Sequence, residues 1–151
     1  MFRKVNGPKI HDVKKYVTDY IKKYPDVLIY IGTDSKRKKK SVLYISTICF
    51  RHPNNGVHVI YRQRKYNSAE YRDIFKKLWH EVELSVELLG ELCFLDRSKI
   101  TVDLDFSVIE KYKSNAVNDG ARGWLTGLGV NVRSKPNAWA ASYAADYLSN
   151  K

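Results

Sequence analysis

Hydrophobic positions along the chain switch repeatedly between helical and strand periods. Ile10, Val13, Val17, Ile21 and Tyr24 recur at helical spacing, with Lys14, Lys15, Lys22 and Lys23 elsewhere, and predict an amphipathic helix over 10–24 that Pro25-Asp26 ends. Val27 to Thr33 is a near-continuous run of β formers, as expected of a central strand covered on both faces. Residues 36–40 form a basic turn, and Ser41 to Arg51 is rich in β formers. The stretch His52-Pro53-Asn54-Asn55-Gly56 holds Asn-Gly, a strong hairpin signal, and Val57 to Tyr66 is the return strand.

From Ser68, a candidate cap, the period becomes 3.6. Tyr71, Phe75, Leu78, Trp79, Val82, Val86, Leu89 and Cys93 fall on one stripe of a long helix. Ile100, Val102, Leu104 and Phe106 then share one face of a fourth strand, with Thr101, Asp103, Asp105 and Ser107 on the other. A helix over about 115–127 leads to a fifth strand, 130–133. Pro136 breaks the chain, and Asn137 caps a last helix over 138–149. No internal repeat or low-complexity linker divides residues 1–151, so one domain is expected. Three antiparallel strands followed by alternating helices and strands predict a mixed five-stranded α/β sheet with helices on both faces and an extra N-terminal helix.

A chain of 151 residues is long enough to bury about 68–70% of its unfolded surface without staples. Its charge is unusual: 27 Lys and Arg against 16 Asp and Glu give a formal +11. That excess favours a polyanionic partner, most simply nucleic acid. No long basic amphipathic helix, lipidation signal, signal peptide or apolar run of membrane-spanning length supports a membrane partner, so a cytoplasmic protein with reduced thiols is expected. Cys49 and Cys93 show no CxxC or Cys/His ligand spacing, and His11, His52, His58 and His80 are scattered, which argues against zinc.

The carboxylates carry the candidate chemistry. Asp34 closes an apolar strand and precedes Lys36, Arg37, Lys38, Lys39 and Lys40. An acid among so many cations suits a divalent ion held beside a phosphate backbone. A turn-initiating Asp is the structural alternative. Asp105 shares a strand face with Asp103 but lies nearer the strand's C-terminal end, where sites in α/β sheets gather, and is preferred. On the last helix Trp139, Tyr143 and Asp146 fall at i, i+4 and i+7, so Asp146 completes an aromatic stripe. On the long helix, Glu83 lies about 80° from the centre of the apolar stripe at roughly 100° per residue, nearer than Glu81 or Glu70. It is the acid expected to look over the sheet.

Several motifs together resemble the YkuK-type ribonuclease H-like proteins of bacteria and phages. They are Ile31-Gly32-Thr33-Asp34-Ser35, Glu81-Val82-Glu83-Leu84-Ser85, Leu104-Asp105, Lys135-Pro136-Asn137 and Ala141-Ser142-Tyr143-Ala144-Ala145-Asp146. Ala145-Asp146-Tyr147-Leu148 is also similar to the Ala-Asp-x-Leu end of true ribonuclease H, whose Asp is the last metal ligand. The resemblance implies the ribonuclease H fold and nuclease activity with Mg²⁺ or Mn²⁺. Asp34, Asp105 and Asp146 would hold metal, and a Glu, either Glu83 or Glu81, would complete the catalytic set. Asn137 stands where relatives are expected to carry Asp.

Phosphate contacts are expected from Lys36 to Lys40, Arg62, Arg64 and Lys135, supplying affinity rather than sequence readout. The leading reading is a metal-dependent nuclease acting on RNA, RNA/DNA hybrid or branched DNA. The alternatives are a non-catalytic nucleic-acid-binding module on the same fold, and a protein-interaction domain whose charge gives solubility.

Overall fold

A computed structural model describes residues 1–54, 56–67, 69, 71, 73–104 and 111–134, the side chains of 111–115 excepted. Two short strands, β1 (Phe2–Lys4) and β2 (Lys9–Ile10), precede helix α1 (Val13–Lys23). Strands β3 (Leu28–Arg37), β4 (Ser41–Arg51) and β5 (Val57–Asn67) follow, then the long helix α2 (Ile74–Glu91). Strand β6 (Ile100–Leu104), helix α3 (Lys111–Gly127) and strand β7 (Asn131–Ser134) complete the described chain.

All seven strands join one sheet in the order β2-β1-β5-β4-β3-β6-β7. β3, β4 and β5 form an antiparallel meander, and β6 and β7 run parallel to β3 and to each other. The five expected strands are therefore present in a mixed sheet. The count is corrected by β1 and β2, which extend it beyond β5. They are too short to show any alternation in sequence. Ile10, read as the first helical residue, instead pairs with Phe2 across β1 and β2. The helix starts after Asp12, whose carboxylate accepts from the Lys15 N–H at 3.1 Å.

The three described helices pack on one face of the sheet. Val17 of α1, Leu78 and Leu88 of α2 and Leu125 of α3 bury in a single cluster with Ile31 and Ile48. The other face carries Tyr30, Cys49 and Val59, buried together. Burial pushes the Cys49 thiol up to about 12, so it stays protonated and inert. The helix expected over 138–149 lies outside the described residues. No helix among the described residues is long and apolar enough to cross a membrane.

Helix α2 begins later than expected, at a cap formed by Asp73, whose Oδ1 accepts from the Phe75 N–H at 2.8 Å. It is also turned. Its buried residues are Lys77, Leu78, Glu81, Val82, Leu84, Ser85, Leu88 and Leu89, whereas Phe75 is exposed. At roughly 100° per residue, the buried face is rotated by about 90° from the stripe expected from sequence. That rotation carries Lys77, Glu81 and Ser85, spaced four residues apart, onto the sheet.

Candidate functional site

β3 changes character along its length. Residues 29, 31, 33 and 35 face α2, and they run from isoleucine to threonine and serine. The polar end of the strand meets the polar stripe of the helix. The Ser85 hydroxyl donates to Thr33 Oγ1 at 3.0 Å, and Thr33 is in turn 2.9 Å from the Ser46 hydroxyl of β4. This buried hydroxyl chain fixes the height of α2 on the sheet. One turn nearer the helix start, Ser35 Oγ donates to Glu81 Oε1. Lys77, a further turn back, places Nζ 3.8 Å from the same oxygen.

Asp34 falls on the opposite side of β3, half-buried, and its Oδ1 accepts from the Ser35 N–H at 2.9 Å. Ser35 therefore touches two carboxylates, Asp34 through its backbone and Glu81 through its side chain. One comes from the sheet and one from the helix. Below the helix start, the Tyr44 hydroxyl donates to the Lys77 carbonyl at 3.2 Å. Burial, then the Glu81 charge, raises the Tyr44 phenol far above its usual range, so it remains a donor.

The structure corrects the geometry expected for the helix acids. Glu81 is 3% exposed and faces the strand end. Glu83 points to solvent, its side chain 59% exposed and its Oε2 3.2 Å from His80 Nδ1. The apolar stripe assumed from sequence had counted Phe75 and Cys93, which are exposed, and this error exchanged the two acids. A usable signal was present: Thr33 and Ser35 alternate on a strand face while Glu81 and Ser85 recur at helical spacing, so polar rows of matching length can pair.

Asp103 is buried at 1% exposure on β6. Both its oxygens accept from Arg133 of β7, at 2.8 Å each, and the Arg133 guanidinium lies 4.2 Å over the Tyr30 ring. A carboxylate held by such a fork is a framework element. Asp105, Asp146 and Lys135 lie outside the described residues. Among the described residues no three Asp, Glu, His or Cys side chains group as a metal site.

The basic residues divide into two sets. Lys36 and Arg37 belong to β3, paired with Leu43 and Val42, so the turn is shorter than 36–40. Arg37, Lys38, Lys39 and Lys40 are exposed at the hairpin end. Arg62 and Arg64, expected at phosphates, face α2 instead. Arg62 is buried and gives two bonds to Glu91, at 2.9 and 2.7 Å. Arg64 gives two to Glu87 at the same distances. Their alternation with Gln63 and Lys65 puts them on the helix side of β5, where acids of α2 meet them.

The Ribonuclease H-like family model matches residues 10–150. No curated protein and no solved structure matches the chain. The family match spans nearly every residue, and the described order β5-β4-β3-β6-β7 supplies the meander and parallel strands of a nuclease fold. The chain belongs to the ribonuclease H-like family.

Proposed function

We propose that the protein is a metal-dependent nuclease that hydrolyses phosphodiester bonds in RNA, RNA/DNA hybrid or branched DNA. The observation that carries this reading is that Ser35, toward the end of β3, meets two carboxylates, Asp34 through its N–H and Glu81 through its hydroxyl. The donors there are oxygens of carboxylates and a hydroxyl, the chemistry that suits Mg²⁺ or Mn²⁺ and not a soft ion. In kind, the residues fit such an ion. Asp34 and Glu81 would hold it, with Asp105 and Asp146 as further ligands. The last described pair between β3 and β6 is Gly32 with Asp103, which leaves Asp34 and Asp105 each two residues further along its chain.

When bound, such an ion would supply Lewis-acid chemistry, lowering the pKa of water and stabilising the leaving oxygen. The chain's own part is positional. The Ser35 N–H and hydroxyl orient one carboxylate each, and the Ser85–Thr33–Ser46 chain sets the helix that carries Glu81. Water, not a side chain, attacks the phosphate. Lys38, Lys39 and Lys40 bring the nucleic-acid backbone to the same end of β3.

The test is a cleavage panel of single-stranded, duplex, hybrid and four-way substrates with Mg²⁺ and with Mn²⁺. Cleavage of at least one substrate is expected, lost in Asp34→Asn and in Glu81→Gln with native circular dichroism retained. Binding without cleavage across the panel would assign the protein to the non-catalytic alternative.

A further inference from the structure

Near the start of α2, Phe75 and Trp79 fall outside the buried face of the helix, Phe75 with 41% of its surface exposed and Trp79 half-buried. With Tyr71 they line an open groove of about 770 Å³, a size ordinary for a small-ligand site. Two of its walls are held in place by other contacts. Tyr71 stacks on His80 with centroids 4.8 Å apart, and meets Tyr44 and Tyr66 edge-on at 5.7 and 5.4 Å. Trp79 packs over Gly120, where an added Cβ would come within 3.0 Å of the indole. The carboxylates of Asp73 and Glu83 line the same groove. A printed path of contacts leads from it to the basic hairpin end. The Lys38 N–H donates to the Ser41 carbonyl at 2.7 Å, Ser41 pairs with Asn67, and Asn67 Oδ1 accepts from the N–H of Ala69, a groove residue, at 3.0 Å.

Aromatic rings beside carboxylates can hold a cation. Here the exposed Lys38, Lys39 and Lys40 of the adjoining hairpin oppose a lone cation and attract a ligand that carries phosphate. A nucleotide meets both demands, since its base is an aromatic plane and its phosphate an anion. Every base also bears an N–H donor on its pairing edge, the kind of group that Asp73 and Glu83 accept from. In a duplex those donors are taken by the opposite strand. We propose that this groove takes an unpaired nucleobase of the bound nucleic acid, stacked on Phe75 between Tyr71 and Trp79. The inference rests on nucleic acid as the partner in the reading above, and narrows the substrate to strands that present unpaired bases.

The experiment measures fluorescence anisotropy with the full-length protein in EDTA, so that binding is read without cleavage. Its labelled probes share one length: a mixed-sequence single strand, the blunt duplex of that strand, and a strand made of abasic sites. Wild type is expected to bind the single strand about tenfold tighter than the abasic strand, the scale of one stacked base. Phe75→Ala is expected to lose that factor on the single strand and to leave the duplex and the abasic strand unchanged, while Phe75→Tyr keeps it. Should Phe75→Ala lack native circular dichroism, Phe75→Leu, which keeps apolar bulk without a ring, is measured in its place. Equal affinity of wild type for the single and abasic strands, or discrimination that survives the loss of the Phe75 ring, overturns the base site and leaves the nuclease reading standing. Tryptophan quenching by millimolar tetramethylammonium that is lost in Phe75→Ala, without discrimination among the strands, assigns the groove to a cation and overturns it as well. No binding of any probe removes both the nucleic-acid partner and this site.

Discussion

Helix α2 presents carboxylates to the sheet in two ways. Toward its C-terminal end, Glu91 and Glu87 each meet a guanidinium fork from β5. Toward its start, Glu81 meets a serine hydroxyl and, at 3.8 Å, a lysine. Asp103, buried on the other face of the sheet, repeats the fork with Arg133. A fork engages both oxygens in a fixed plane and leaves a carboxylate little reason to exchange partners. Glu81 instead accepts from the Ser35 hydroxyl, with the Lys77 ammonium 3.8 Å from the same oxygen. The forks build the frame, and the hydroxyl-held acid stands at the strand end where Asp34 also lies. The same residue type thus meets a guanidinium fork at one end of the helix and a hydroxyl with an ammonium at the other.

The contrast breaks most visibly in stability. Asp103→Asn leaves the Arg133 charge facing an amide in a buried site, and loss of one partner of a buried pair costs about 3–5 kcal/mol. The Arg133 side chain is 22% exposed, so a loss near the lower end, about 3 kcal/mol, is expected in urea unfolding. A loss under about 1 kcal/mol would show that the fork does not hold the frame.

Glu81→Gln should cost less, about 1–2 kcal/mol, because Gln keeps an acceptor for Ser35 and the Lys77 stem lets its ammonium reach toward water. Its effect should fall on metal instead. Wild type is expected to melt higher in millimolar Mn²⁺, and Glu81→Gln to lose that shift, while Asp103→Asn keeps it. Equal stability losses in the two variants, with the metal shift intact in both, would erase the distinction between frame and site.

How far the sequence revealed this arrangement depends on what each signal measures. The meander was legible because long alternating strands and an Asn-Gly turn are local signals, and β4 spans Ser41–Arg51 as expected. The two N-terminal strands were not, since three and two residues carry no period. The phase of α2 was misjudged because hydrophobicity stood for burial. Phe75 and Cys93 are apolar and exposed, while Lys77, Glu81 and Ser85 are polar and buried. Arg62 and Arg64 were expected at phosphates, because their partners are some 23 to 29 residues away, on α2. Charge excess is visible in composition, but its pairing is a tertiary fact. Asp34 was legible from its position at the end of an apolar strand.

The division of the basic residues predicts a difference in salt dependence. Substituting Lys38, Lys39 and Lys40 by Ala should lower the slope of log affinity against log salt on duplex DNA by about 2, given about 0.9 per phosphate neutralised. Arg64→Ala should change it by less than about 0.5, because its guanidinium serves Glu87. Equal changes would return Arg64 to the nucleic-acid surface.

The smallest effect concerns acid. The Arg64 hydrogen bonds, then the Arg64 and Arg62 charges, hold the Glu87 carboxyl below its ordinary value. A depressed carboxyl contributes stability that is present above the unfolded pKa, about 4.3, and is lost as pH falls through the folded value. Glu87 is 46% exposed, so solvent screening limits the effect to a few tenths of a kcal/mol. His58 acts earlier on the same descent. Burial, then the charges of Lys4 and His52, lowers its pKa, and Tyr16 lies 2.6 Å from its Nε2. Its contribution is complete above about pH 6.5 and is lost as pH falls toward the lowered folded value, because the unfolded chain takes the proton first. Melting temperatures from pH 8 to pH 3 should therefore decline in two stages. Arg64→Ala should depart further from wild type, in either direction, only below about pH 4.5, and His58→Gln only below about pH 6.5. In molar salt the Arg64 difference should shrink, since an exposed fork is screened. An Arg64→Ala profile parallel to wild type throughout would mean that the fork at Glu87 holds geometry without stabilising charge.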